Sequence, residues 1–158
     1  RSGLIDDLLA LAREGETVSE PTPTELAAVA RRAWRTVNSP DSTLRVEDDG
    51  VVEADASRLQ QLFENLFRNS VEHGGPAEDL TVRVGMLADG FYVEDTGDGI
   101  PTDQQDRVFE RGYSTQDNGT GFGLNIVDDI AAAHGWSILA TDADGGGARF
   151  EITGVSVT

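Results

Sequence analysis

The chain has 158 residues, 29 acidic against 12 basic for a formal charge of −17, and an apolar fraction of 38%, which is one domain's length with enough apolar surface for a core. The acids are scattered (EDDG, EADAS, VDDI) rather than gathered in a tail, so they form a solvated skin suited to high salt, where self-repulsion is screened, and they exclude nucleic acid and anionic membrane as partners. With no cysteine there is no disulfide or thiolate metal site, as fits an intracellular chain, and no apolar run approaches the ~20 residues of a membrane span.

In chain order, LIDDLLALAR places Leu4, Ile5, Leu8 and Leu11 at helical spacing, so residues 3 to 14 are read as a helix end. Starting at Arg1 in the middle of that pattern, the sequence reads as a piece of a longer protein. The polar, proline-bearing EGETVSEPTPT is a linker, and Thr24 is the expected N-cap of a helix over 25–37, with Leu26, Val29, Ala30 and Ala33 on its inner face. TLRVEDDGVVEAD reads as two strands joined in a hairpin at Asp-Asp-Gly. Asp55 then opens a long helix over 56–72 whose inner face carries Leu59, Leu62, Phe63, Leu66 and Phe67.

LTVRVGML and FYVEDT are two strands split by Ala-Asp-Gly. The stretch from Gly97 to Gly123 is glycine-rich and polar, with one helical turn at 103–109; a connection of that length within a compact domain is functional or mobile. LNIVDDIAAAHG is a helix stopped by Gly135, and WSILATDADGGGARFEITGV is a closing hairpin. Helices and strands are mixed and neighbouring strands are joined by hairpins, so the class is α+β, a two-layer sandwich.

Three stretches carry chemistry. Asn65 and Asn69 lie four apart on the long helix and share a face beside Leu62 and Leu66. Either they hydrogen-bond neighbouring backbone at the core boundary, or an amide oxygen ligates a hard cation such as magnesium. In VEDTGDGI, Asp95 stands at a strand end followed by Gly97 and Gly99. That is either a plain turn or a corner where backbone approaches a ligand and the carboxylate accepts from an exocyclic amine. In NGTGFGL, Gly119, Gly121 and Gly123 run into a helix N-terminus, either a hinge or a cradle for phosphate oxygens.

The ordered set, N-x-x-x-N on a helix, D-x-G-x-G-I after a strand, VFERGYST, then G-x-G-x-G at a helix start, resembles the ATP-binding domain of the GHKL superfamily, and within it the sensor histidine kinases. The resemblance covers about residues 22 to 153. It implies a Bergerat-type fold, a mixed and mostly antiparallel sheet covered on one face by helices. It divides the chain into the end of the second helix of a dimerisation and phosphoacceptor hairpin (1–16), a linker (17–24) and a catalytic ATP-binding domain (25–158).

For the site, the resemblance implies ATP and Mg2+ as cofactors and Asn69 as the metal ligand, with Asn65 one turn earlier facing the nucleotide. Asp95 would read the adenine amine, with Gly97, Gly99 and Ile100 shaping the pocket wall. Phe109 would anchor a lid, and Arg111 would approach the phosphates, the one candidate for a catalytic role. Gly119, Thr120, Gly121, Phe122, Gly123 and Leu124 would surround the triphosphate. Two positions depart from the family: Glu72 stands where a lysine is common and His73 where a tyrosine is, so a cationic phosphate contact is lost there while His73 could still stack on the nucleotide. His134, at a helix end, is read as a helix-terminus cation site rather than a phosphoacceptor.

Hydrolysing members of the superfamily carry a glutamate general base four residues before the magnesium asparagine; that slot is Asn65, which cannot take a proton. Glu64 is rotated by roughly 100° off that face. The expectation is phosphoryl transfer to a histidine on an upstream hairpin, with a regulatory nucleotide-binding module lacking transfer as the alternative. The implied partners are that hairpin, in the same protein or its dimer mate, and a response-regulator receiver domain; without the hairpin the fragment is expected to be monomeric.

Overall fold

A computed structural model describes residues 21–73, 76–97, 99–100, 105, 124–143 and 146–157. The helix read at 3–14, the linker over 17–20 and the helical turn at 103–109, apart from residue 105, lie outside the described residues, as do Phe109, Arg111, Gly119, Thr120, Gly121, Phe122 and Gly123.

The elements run β1 (Thr22–Glu25), α1 (Leu26–Val37), β2 (Thr43–Val46), β3 (Val51–Ala54), α2 (Ala56–His73), a 3-10 turn (Ala77–Asp79), β4 (Thr81–Leu87), β5 (Gly90–Asp95), α3 (Leu124–His134), β6 (Ser137–Asp142) and β7 (Ala148–Thr153). Five strands form one sheet in the order β2-β4-β5-β7-β6, parallel between β2 and β4 and antiparallel elsewhere; β1 and β3 pair antiparallel in a second, small sheet. This is the expected α+β sandwich with a mixed, mostly antiparallel sheet.

Alternation sorts the two faces of the sheet. Val82, Val84, Phe91, Val93, Phe150 and Ile152 are buried against the helices, which contribute Leu26, Val29 and Ala30 from α1, Leu59, Leu62, Phe63, Leu66 and Phe67 from α2, and Leu124, Val127 and Ile130 from α3. Aromatic rings tie the layers together: Phe63 lies 5.5 Å from both Phe67 and Phe91, and Phe91 meets Trp136 edge-on at 6.0 Å. The other face is polar. Arg149 binds Glu94 and Glu151, each at 2.8 Å, and lies 4.1 Å from the Tyr92 ring centroid. Burial, then the 2.6 Å hydrogen bond to Glu47, pushes the Tyr92 phenol up to about 12.

Three local expectations fail, two of them for one reason. TLRVEDDGVVEAD is not a hairpin: β2 pairs with β4 while β3 pairs with β1. The Asp-Asp-Gly between them caps a helix instead. Asp49 Oδ1 accepts from the Ala27 N–H at 3.0 Å in the first turn of α1, and Gly50 O accepts from the Leu26 N–H at 2.9 Å. Thr24 is therefore not the N-cap; Glu25 holds that position without a side-chain bond, and the Thr24 hydroxyl lies 2.9 Å from Thr22 O. Residues 22–24, read as linker, are β1. Asp55 does cap α2, its Oδ1 accepting from the Ser57 and Arg58 N–H groups at 3.1 and 3.2 Å.

Candidate functional site

The site is built where the C-terminal half of α2 meets the end of β5. α2 is amphipathic; its ridge of Leu62, Leu66 and Phe67 is pulled into the core, and this turns Asn69 and Ser70 inward at 4% and 3% exposure. β5 delivers Asp95 to the same place, on the inner face with Phe91 and Val93. Thr96 fastens the strand end: its N–H donates to Thr81 O at 3.1 Å, and its hydroxyl accepts from the Thr81 N–H at 2.9 Å.

The Asp95 carboxylate is held on three sides. Oδ2 accepts from Ser70 Oγ at 2.7 Å; Oδ1 accepts from the Gly97 N–H at 2.9 Å and the Ala148 N–H at 3.2 Å. A carboxylate offers about four lone-pair positions, so capacity for one further donor remains. The backbone of Gly147 lies so close that a Cβ there would sit 1.7 Å from Asp95 O, and Gly99, at φ +79°, adopts a conformation that favours glycine, with its Cβ position 2.7 Å from Gly146 O. Ile100 is buried in the core behind this corner, its carbonyl accepting from Gln105 Nε2 at 3.1 Å.

Asn69 Oδ1 is buried with no hydrogen-bond partner among the described residues. An orphaned oxygen of that kind costs about 1–3 kcal/mol and calls for a ligand or a role. Asn65, one turn earlier, is less buried, and its Nδ2 donates to Gln61 O at 2.8 Å on its own helix. The backbone-bonding reading is thus realised by Asn65, while Asn69 keeps an oxygen without a partner among the described residues. Leu124 opens α3, packed in the same core cluster. His73 ends α2, but its side chain lies outside the described residues. Glu64 accepts from Gln60 Nε2 at 2.9 Å, and Gln60 Oε1 in turn accepts from Arg32 Nε at 3.3 Å. It is engaged on the α1 side.

Sequence reasoning missed Ser70, Gly147 and Ala148. The glycine run at 145–147 was the available signal, and it was read as a hairpin turn. Ser70 positions Asp95 without offering the ligand a group of its own, so Ser70→Ala is expected to cost about 1 kcal/mol in unfolding free energy. Nucleotide affinity should fall roughly 5-fold, and Ser70→Thr, which keeps a hydroxyl, should recover part of it. Parallel melts and binding titrations of the two variants would check this.

His134 corrects the fourth expectation. Its Nδ1 lies 2.9 Å from Ile130 O, which can only accept, so Nδ1 carries the proton and Nε2 is free to accept from the Asp55 N–H at 3.1 Å. The imidazole stacks on Trp136 at 4.0 Å. It is a neutral clasp between the C-terminus of α3 and the N-terminus of α2, not a cation site. Burial holds its pKa below 6.5, outweighing the opposing hydrogen bond to Ile130 and the charge of Asp55; Arg58 lowers it further. A depressed folded pKa means the clasp's stability is fully present above about 6.5 and lost as pH falls through the folded value. His134→Gln should flatten that acid-side loss in urea melts run across this range; an unchanged pH profile would remove the clasp.

A family model described as histidine kinase-, DNA gyrase B-, and HSP90-like ATPase matches residues 54–155, well over half the chain. The sensor histidine kinase ZraS of Klebsiella oxytoca is 38% identical over 102 residues, covering 63% of this chain and 22% of its own length. The chain thus spans about a fifth of that relative. Among solved structures, the mycobacterial sensor histidine kinase MprB superposes with a TM-score of 0.71 at 26% identity, covering 87% of this chain and 97% of that one. Full-length ShkA in complex with AMPPNP gives 0.72 at 26% identity, covering 98% of this chain and 35% of that one.

Proposed function

Because this chain belongs to the histidine kinase-, DNA gyrase B-, and HSP90-like ATPase family, we propose that it binds Mg-ATP at the Asp95–Asn69 corner and hands the γ-phosphoryl group to a histidine on an upstream helical hairpin. The observation that carries this reading is the 2.7 Å bond from Ser70 to Asp95, which joins the asparagine helix to the acidic glycine corner in one site. The acceptor capacity left on Asp95 suits an exocyclic adenine amine. The Asn69 oxygen, without a partner among the described residues, is a hard donor of the type magnesium accepts, so the residues present fit the ion. When bound, the ion would neutralise phosphate charge.

The chain's own part is positioning and exclusion of water. Asn65 and the glycines at 119, 121 and 123 would lie along the triphosphate with Thr120, Phe122 and Leu124, and Arg111 would supply the positive charge that exposed Glu72 does not. His73 would border the nucleotide. Glu64, the acid adjacent to the general-base slot, is turned toward Gln60 rather than toward the Asn69–Asp95 corner. Transfer to a side chain is therefore favoured over hydrolysis. The whole protein would act in the cytoplasm, alone or as a dimer through the hairpin, and pass the phosphoryl group to a receiver domain. No described helix is long and apolar enough to cross a membrane.

The test joins the chain to a hairpin carrying the acceptor histidine and looks for acid-labile phosphate after incubation with Mg-ATP. Phosphate on the hairpin is expected. Tight Mg-ATP binding without transfer would instead favour a regulatory module. The acidic skin makes a separate forecast: the melting temperature should rise as salt is raised from tens of millimolar toward molar, as self-repulsion is screened. A maximum at low salt would contradict adaptation to high salt.

A further inference from the structure

The face of the sheet turned away from the helices carries a charge network behind the Asp95 corner. Glu94 points to that face yet is only 9% exposed, and arginines from both flanking strands bind it: Arg149 on β7 at 2.8 Å and Arg83 on β4 at 3.3 Å. The network closes on itself. Arg83 lies 3.8 Å from Glu47, Glu47 accepts from the Tyr92 hydroxyl at 2.6 Å, and the Tyr92 ring lies 4.1 Å from the Arg149 guanidinium. Tyr92 reaches Glu47 by lying across Gly85, where any side chain would collide with the ring. A carboxylate as buried as Glu94 depends on its partners, since losing one leaves a charge uncompensated. The ring of contacts therefore braces β4, β5 and β7 against one another.

The brace sits at one particular rung. Glu94 and Arg149 are the last paired residues of the β5–β7 ladder. One step beyond, the Ala148 N–H goes to the Asp95 side chain, with Oδ1 at 3.2 Å. The Gly147 backbone closes over Asp95 O, and Gly147 O accepts from the Ala143 N–H at 2.7 Å. We propose that Arg149 is a positioning residue for the nucleotide corner: its bond to Glu94 on the outer face fixes where β7 leaves β5, and so holds the Ala148 N–H that aims the Asp95 carboxylate on the inner face. This rests on the proposed contact between Asp95 and the adenine amine. Arg149 stands on the far face of the sheet from the site, so it acts through Asp95 alone. A guanidinium suits the task, because one planar group meets Glu94 through Nη1 and Glu151 through Nε at once. A lysine, as a point charge, would serve them less well.

Titration of an ATP analogue into Arg149→Met, alone and combined with Asp95→Asn, separates positioning from general support of the sheet. Arg149→Met should weaken binding about tenfold in the parent but less than about twofold in the Asp95→Asn background, where no carboxylate is left to aim. Arg149→Lys should recover roughly a third of the parent affinity. An equal loss in both backgrounds, or no loss in the parent, overturns the proposal and leaves the site's assignment standing; an Asp95→Asn variant that binds like the parent overturns both. Should Arg149→Met not fold, Glu94→Gln, which keeps the side chain's shape and removes its charge, takes its place with the same expected outcomes. A second measurement needs no nucleotide. Exchange of the Ala148 amide, read by NMR, should quicken about tenfold in Arg149→Met and partly recover in Arg149→Lys, while the Thr96 amide, bonded to Thr81 on the β4 side, keeps its rate. The same Ala148 rate in all three proteins refutes the brace.

Discussion

Asp95→Asn is expected to weaken adenine-nucleotide binding by roughly 30- to 150-fold, the equivalent of about 2–3 kcal/mol for a hydrogen bond to a charged acceptor, while leaving the fold standing. The asymmetry follows from the three donors already on the carboxylate. The amide oxygen of asparagine can take the Oδ1 position and keep the Gly97 and Ala148 N–H bonds. The NH2 then falls on the Ser70 side, where the hydroxyl can turn to accept. What changes sign is the remaining valence: an acceptor facing the ligand becomes a donor, and a donor on the ligand meets a donor. The melting temperature should therefore move little, and calorimetric titration with an ATP analogue should carry the effect. Unchanged affinity would remove Asp95 from the role of reading adenine.

Asn69→Leu is expected to act in opposite directions on stability and binding. In the free protein Oδ1 is buried and has no partner among the described residues, so replacing the amide by an apolar group of similar size removes a desolvated polar atom and should raise the unfolding free energy by about 1–2 kcal/mol. The same change removes the hard oxygen proposed to meet magnesium. Nucleotide affinity measured with Mg2+ should fall to the level measured with EDTA, and the magnesium dependence should vanish. Urea melts of the free variant and titrations with and without metal separate the two effects. A variant that is less stable than the parent and still metal-dependent would show that Asn69 is an ordinary core-boundary residue.

Much of the fold was legible because its signals are local. The apolar spacing of Leu59, Leu62, Phe63 and Leu66 and the Asp55 cap define α2, and the alternation around Ala-Asp-Gly defines the β4–β5 hairpin. What failed was long-range pairing. Asp-Asp-Gly between two strand patterns is a hairpin signal in isolation, yet Asp49 caps a helix that begins 23 residues earlier, at Leu26. Nothing local distinguishes a turn that closes on its neighbour from one that closes on α1. His134 fails likewise, since its state depends on the Asp55 N–H, 79 positions away. At the site, Asp95 and Asn69 were visible as residue types at telling positions. Ser70 and the Gly147 backbone were not, because their part is to hold Asp95 and is set by contacts the sequence does not display.

The most direct measurement is a crystal structure of the chain with a non-hydrolysable ATP analogue and magnesium. The account predicts the adenine amine within hydrogen-bonding distance of Asp95, and the metal at about 2.1 Å from Asn69 Oδ1. Nucleotide bound away from the α2–β5 corner, or a metal held without Asn69, would contradict it.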